Sequence, residues 1–149
     1  MEAKYINKYI NKSVDQLIKI ATTHFNKFIR ERDRKGEYFF CPTHANGLGR
    51  TMKIDGDNYQ ACHLFPAGNY GWIRFNEDNV HGGCKSCNYF KHGVGHVYGD
   101  WVRKTIGEIR YKKLTDLNDY YKQHTWKWDK LSLIEIIIKY KYLKEIKNY

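Results

Sequence analysis

The chain has 149 residues, about the size of one domain, with a formal net charge of +10 and a pI of about 9.4. A charge of this size favours a polyanionic partner, with nucleic acid ahead of an anionic membrane surface. No apolar stretch approaches the roughly 20 residues that span a bilayer, and the N-terminal MEAKYINKYINK lacks the apolar core of a signal peptide. We therefore expect an intracellular protein whose four cysteines stay reduced, which favours metal binding over disulfides.

A first helix is predicted from Ser13 to Gly36. Ser13 and Gln16 fit a capping box at its start, apolar residues then recur at helical spacing, and Gly36 is a typical C-terminal stop. A basic run near its end is typical of a solvated helix face, although it could also follow a DNA strand; its members are Arg30, Arg32, Arg34 and Lys35.

The middle of the chain, residues 37–95, has a different character. It contains all four cysteines and three runs of strand-forming residues, EYFFC, YQACHLF and WIRF. Helical periodicity returns near Val97 and stops at Gly107, a short helix is expected around Leu114, and a last helix is expected to begin at Ser132 with a capping box. We predict a single domain over 1–149, in which an N-terminal helix (13–36) and C-terminal helices (96–149) flank this central region.

Two short motifs have the spacing of zinc knuckles. Cys84 and Cys87 are separated by two residues, and so are Cys41 and His44. Structural zinc takes four such donors in a tetrahedron, often from two tight turns. Cys62 is an alternative to His44 and would give a four-cysteine site; we prefer His44 because it lies on the same turn as Cys41. With four protein ligands, the zinc would be structural.

A second set of polar residues lies between and beside these knuckles. His63, Asn79 and Asn88 form a series that resembles the HNH, or ββα-metal, nucleases. A neutral histidine can take a proton from water, and a divalent cation held by oxygen ligands stabilises the charge that develops on a phosphodiester. We expect His63 to be the base, Asn88 to be a ligand of a Mg²⁺ or Mn²⁺ ion, and Asn79 to tether the loop that positions the base.

Several segments resemble the phage NinG (Rap) recombination endonucleases. They are FNKFIRERDRKGEYFFC, QACHLF and RFNEDNVHGGCKSCN, followed by Tyr98, Val102 and Gly107. The resemblance covers most of residues 24 to 117. It implies an endonuclease that cuts branched DNA or recombination intermediates, such as D-loops and junctions, in the cytoplasm of a phage-infected bacterial host.

The same resemblance suggests further ligands and DNA contacts. In a distant cousin, a phage endonuclease that resolves Holliday junctions, an aspartate three residues before the base helps to bind the catalytic metal. That position is Gln60 here, a neutral and weaker ligand, so Asp55, Asp57 or Glu77 could supply the missing charge. We expect phosphate contacts from Arg74, Lys85 and Lys91.

The predicted fold is α+β, with helices packed around a small zinc-stabilised ββα-metal centre. Strands near Gln60–Phe65 and Gly71–Phe75 would form its hairpin, and its helix would begin near Asn79 or at the second knuckle. A junction resolvase is expected to form a homodimer, for which the first and last helices are candidate interfaces. Two alternatives remain: a non-catalytic zinc-stabilised nucleic-acid-binding module and, more weakly, a peripheral membrane protein that uses the isoleucine-rich C-terminal helix.

Overall fold

The structure is a computed structural model that describes residues 3–90 and 95–142. It is a mixed α+β protein in which helices accompany two small antiparallel sheets. Its contacts divide the chain into two compact units, one formed by Met1–Phe28 with Lys127–Tyr149 and the other by Ile29–Trp126. The single-domain organisation stays a prediction. Among the described residues, no helix is long and apolar enough to cross a membrane.

The first unit is helical. It comprises α1 (Ala3–Tyr9), most of α2 (Val14–Asp33) and α6 (Lys130–Lys141). The predicted capping box is confirmed, because the Ser13 amide donates to Gln16 Oε1 at 2.9 Å and the Gln16 amide donates to Ser13 Oγ at 3.2 Å. The core of this unit is made of aliphatic and aromatic side chains at helical spacing, including Leu17, Ala21, Phe25, Leu133 and Ile137.

The start of α6 differs from the prediction. The helix begins at Lys130, and its cap is Asp129, whose Oδ1 accepts a hydrogen bond from the Ser132 amide at 2.9 Å. Ser132 is therefore not the cap. A carboxylate at this position accepts from the free amides of the first turn and also suits the positive end of the helix dipole.

The second unit contains both sheets. Strand β1 (Tyr38–Cys41) pairs with β2 (Arg50–Lys53), and β3 (Tyr59–His63) pairs with β4 (Val80–Cys84). Helix α3 (Lys85–Phe90) follows β4 without a connecting residue. The second half of this unit adds α4 (Gly95–Ile106) and α5 (Glu108–Lys122). Gly107, the predicted end of the first of these helices, separates them and has a φ of +86°.

The predicted partner strand of the second hairpin is wrong. Gly71–Ile73 forms a short 3-10 turn, and β3 pairs instead with Val80–Cys84. The sequence VHGGC has little intrinsic strand preference, but its glycines leave room for the neighbouring strand. A Cβ atom at Gly82 would lie 2.6 Å from the Tyr59 ring, and one at Gly83 would lie 2.9 Å from Cys62 Sγ.

The basic run at the end of α2 is more than a solvated face. The Arg32 guanidinium donates to the carbonyl of Glu77 at 2.9 Å and to that of Val80 at 2.7 Å. Asp33, which pairs with Arg32, accepts the amide of Gly82 at 2.8 Å. The two side chains therefore fasten the last turn of α2 to strand β4 within the second unit.

We expect Arg32→Ala to destabilise the second unit by about 2–3 kcal/mol, because two backbone carbonyls lose hydrogen bonds from a charged donor. Urea unfolding followed by circular dichroism measures the change. Arg103→Ala is the matched control, since Arg103 makes an exposed ion pair with Glu108 that contributes little. Equal midpoints for the two variants would contradict the role given to Arg32.

Candidate functional site

Four predicted ligands meet in the second unit. Cys41 ends β1, His44 lies in the turn that follows, Cys84 ends β4, and Cys87 lies in the first turn of α3. Their ligand atoms all lie within 4.8 Å of one another. Ligands around a tetrahedral zinc with Zn–S bonds of about 2.3 Å are about 3.8 Å apart, and His44 Nδ1 lies 3.5 Å from Cys84 Sγ. The cluster could hold a metal ion such as zinc.

Cys62 does not belong to this group of four. Its side chain lies on β3 next to Gly83, and burial raises the pKa of its thiol far above the ordinary value. A buried thiol that keeps its proton is a poor metal ligand. The cluster therefore agrees with the preference for His44 over Cys62.

The surroundings of the Cys84 thiol lower its pKa and so favour the thiolate. Burial alone would raise its pKa, but the Cys87 amide donates to Cys84 Sγ at 3.4 Å, and His44 also contacts the sulfur. Together with the neighbouring cysteines, these hydrogen bonds lower the pKa of the Cys84 thiol to about 6. The thiolate is the form that binds metal, so the turn at the start of α3 favours coordination.

His63, the last residue of β3, has a defined orientation. Its Nε2 donates to the carbonyl of Arg74 at 3.0 Å, because a carbonyl oxygen can only accept. Nδ1 is therefore the nitrogen that can accept a proton. Burial lowers the pKa of His63, and the nearby charge of Arg74 lowers it further, although the bond to the carbonyl acts in the opposite direction. The net shift favours the neutral ring.

Asn79 is fully buried, and its amide is fully used. Its Oδ1 accepts the amide of Phe65 at 2.8 Å, while Nδ2 donates to the carbonyls of Phe65 at 3.1 Å and Ile73 at 3.2 Å. These bonds close the loop that follows His63. The geometry agrees with a tethering role for Asn79 and leaves no amide atom for chemistry.

Asn88 lies on α3, immediately after the ligand Cys87. Its Nδ2 donates to Gln60 Oε1 at 3.0 Å. This bond uses the nitrogen end of the Asn88 amide, so Oδ1 is the atom that could bind a cation. His63 and Asn88 border one cleft of about 260 Å³ together with Cys41 and Cys87. Gln60 does not border this cleft, so its contact with the site is through Asn88; its role as a direct ligand stays a prediction.

The remaining predicted residues lie elsewhere. Lys85 forms an exposed ion pair with Asp57, and neither residue borders the cleft. The other two suggested carboxylates, Asp55 and Glu77, do not border it either. Arg74 does not border the cleft, and its Nε is buried without a hydrogen-bond partner among the described residues. Its contact with a phosphate stays a prediction. Lys91 lies outside the described residues.

Two residues support the site in ways that periodicity alone did not reveal. The Tyr98 hydroxyl donates to the carbonyl of Cys62 at 2.6 Å, directly before His63. His81 is buried. Its Nε2 donates a hydrogen bond to the backbone carbonyl of Asp78, and its Nδ1 accepts one from the Arg32 guanidinium. In the sequence, the family resemblance singled out Tyr98 but gave it no role.

A sequence model of the family described as "NinG: Bacteriophage Lambda NinG protein" matches residues 2–148. The chain belongs to the NinG family. "Protein ninG" of Escherichia phage lambda is 28% identical over 143 residues, which are 96% of this chain and 63% of the relative. "Protein ninG" of Escherichia phage 933W is 27% identical over 143 residues, 96% of this chain and 64% of the relative. The chain thus spans a little less than two thirds of these NinG relatives, and no solved structure matches it.

We expect this NinG-family protein to be purified with about one zinc per chain, as a four-ligand site requires. Cys84→Ser should lose the metal and melt at a lower temperature, since binding free energy contributes to folding. Cys62→Ser, the matched control, should retain it. Metal analysis of dialysed protein and thermal unfolding measure both effects. If Cys62→Ser lost the metal while His44→Ala kept it, Cys62 would be the fourth ligand instead.

Stability should also depend on pH through buried histidines. Burial lowers the folded-state pKa of His63 and His81 from 6.5, so below pH 6.5 the unfolded chain binds more protons. The free energy of unfolding should therefore decrease as the pH falls from about 6.5, and less steeply in His63→Gln. Urea unfolding of both proteins between about pH 7.5 and about pH 5, with zinc content monitored, measures this dependence. Identical slopes of unfolding free energy against pH for the wild type and His63→Gln would contradict the prediction.

Proposed function

We propose that this protein is a metal-dependent DNA endonuclease with an HNH-like centre. The observation that carries the proposal is that His63 and Asn88 border one cleft, next to two ligands of the Cys/His cluster. Metal-assisted hydrolysis of a phosphodiester needs a group that takes a proton from water and an oxygen ligand for the cation. His63 and Asn88 are side chains of these two types.

The order of the elements supports this assignment. Two antiparallel strands, β3 and β4, lead directly into α3, which is the strand–strand–helix order of the ββα-metal nucleases. The proposed base ends the first strand, and the proposed metal ligand lies on the helix. The Cys/His cluster ties the helix start to β1, so the zinc would hold the scaffold on which both side chains are placed.

The donors fit a hard divalent cation in type. Asn88 Oδ1 would hold a Mg²⁺ or Mn²⁺ ion, and Gln60 orients this oxygen by accepting from the other end of the amide. Of the described residues that border the cleft, none is a carboxylate, so the anionic oxygens would come from the DNA phosphate. Such an ion supplies Lewis-acid stabilisation of the charge on the phosphate and on the leaving oxygen.

His63 would act as the general base. Its Nδ1 takes a proton from the water that attacks phosphorus, while the bond from Nε2 to the Arg74 carbonyl fixes the tautomer and the ring orientation. The same carbonyl dipole stabilises the imidazolium that forms. Asn79 and Tyr98 act indirectly, by holding the backbone on either side of His63.

The net charge of +10 supports DNA as the substrate. Binding should weaken steeply as salt increases, because contacts with phosphates release condensed counterions. Branched recombination intermediates of a phage, cut in the cytoplasm of its bacterial host, are the substrates that the family resemblance suggests. A homodimer would allow paired cuts at a junction.

Replacing the base is the direct test. We expect His63→Ala to fold, keep its zinc and nick a four-way junction about 10²–10⁴-fold more slowly than the wild type. His124→Ala is the matched control, because His124 stacks on the exposed Tyr120 of α5 and does not border the cleft. Junction, D-loop and linear DNA are assayed with dialysed protein, with and without Mg²⁺ or Mn²⁺. Nicking by His63→Ala at the wild-type rate would refute the assignment.

A non-catalytic nucleic-acid-binding module is the second candidate. The lack of a carboxylate among the described residues of the cleft favours it, since Mg²⁺ sites in enzymes usually include one or two. Binding of junction DNA by wild-type protein without metal-dependent cutting would select this alternative.

A further inference from the structure

The first hairpin presents an exposed face that the cleft does not use. In its register Tyr38 lies opposite Lys53, and Phe40 lies opposite Thr51. Directly opposite residues of an antiparallel pair share a face, so these four side chains form one surface, which we name the hairpin face. The intervening Phe39 points the other way and packs in the core against Tyr59.

Two aromatic rings are exposed on the hairpin face. Tyr38 is 48% and Phe40 42% exposed, whereas Phe39 between them is 2% exposed. The Phe40 ring is also held in place from below by Gly49, where a Cβ atom would lie 2.1 Å from the ring and where φ is +77°. The Phe40 ring is therefore exposed but held in position, which lowers the entropy cost of binding a flat ligand.

We propose that the hairpin face stacks unpaired bases of a DNA strand. Alternate residues of a strand are about 6.7 Å apart, a spacing that lets successive unstacked bases each contact one ring. Aromatic side chains on a sheet surface are a common platform for single-stranded nucleic acid, because every base has an aromatic face. This inference rests on the proposal that DNA is the substrate, and it names the class: DNA with an unpaired segment.

Charge on and around the hairpin suits this occupant. Residues 35–53 contain three cations, Lys35, Arg50 and Lys53, and one carboxylate, Glu37. Lys53 and Glu37 form an ion pair at 3.9 Å in which both side chains are largely exposed, so Lys53 stays accessible to a phosphate. Rings flanked by cations favour a nucleic acid over an apolar protein surface.

The hairpin face also leads to the cleft. Strand β1 ends at Cys41, and both Cys41 and Pro42 border the cleft that contains His63 and Asn88. Unpaired nucleotides occur next to the branch point of a D-loop or flap. A strand held on Tyr38 and Phe40 would therefore lie on the β-strand that continues into Cys41 and Pro42 at the border of the cleft.

The test is binding of a fluorescent thymidine oligonucleotide and of a matched duplex to the full chain in buffer without added Mg²⁺. We expect the wild type to prefer the single strand. Tyr38→Ala and Phe40→Ala should each weaken that binding about tenfold, and the double variant more, while Tyr38→Phe retains it. Tyr120→Ala, an equally exposed tyrosine on α5, is the control and should bind normally. Zinc content and circular dichroism confirm that each variant folds.

Cross-linking gives an independent readout. An oligonucleotide with 5-iododeoxyuridine should cross-link, on irradiation, to the peptide that contains Tyr38 and Phe40. Equal affinity of the wild type and the double variant, or cross-links only outside residues 35–53, would overturn the inference. So would a double variant that loses self-association in sedimentation but keeps its DNA affinity, because the face would then bind a second copy of the chain.

The outcomes separate this inference from the proposed function. If the double variant loses single-strand binding while no protein cuts DNA in Mg²⁺, the stacking surface stands and the nuclease assignment fails. If His63→Ala abolishes cutting while the double variant binds single strands normally, the nuclease assignment stands and the stacking surface fails.

Discussion

The second unit depends on one constraint, the meeting of three cysteines and one histidine from distant turns in a cluster that could hold a metal ion. Its two sheets share no ladder of hydrogen bonds among the described residues, and each has only two strands, which is marginal for independent stability. Cys41 and His44 belong to the first sheet and its turn, and Cys84 and Cys87 to the second sheet and α3. Beneath them Phe39 stacks on Tyr59 at 4.3 Å, so apolar packing and the metal ligands join the same two sheets.

The proposed base is fixed from three directions by bonds that the metal does not supply. Its own ring is held by the Arg74 carbonyl. The residue before it is held by Tyr98, and the loop after it by the buried amide of Asn79. Under the proposed function, the cluster would position the side of the cleft that holds the cation, and the hydrogen-bonded loop would position the side that accepts the proton. The division means that the two halves can be disturbed separately by substitution.

Local chemistry allowed much of this architecture to be predicted. The spacing of Cys41, His44, Cys84 and Cys87 identified the cluster, because a tetrahedral ion demands such pairs. The second strand of the β3–β4 hairpin was missed because the composition of VHGGC predicts a loop. In the structure, Gly82 and Gly83 let Tyr59 and Cys62 of the neighbouring strand approach closely. The bonds from Arg32 to the carbonyls of Glu77 and Val80 join residues 45 and 48 positions apart, which no local pattern encodes.

The attachment of Asn88 has a consequence for when the proposed nuclease could become active. A single peptide bond joins Asn88 to Cys87, which lies in the first turn of α3 and belongs to the Cys/His cluster. If the protein is the proposed nuclease, a newly made chain without its ion would hold Asn88 less firmly and would cut nucleic acid poorly. Metal uptake would then set the moment at which cleavage could begin.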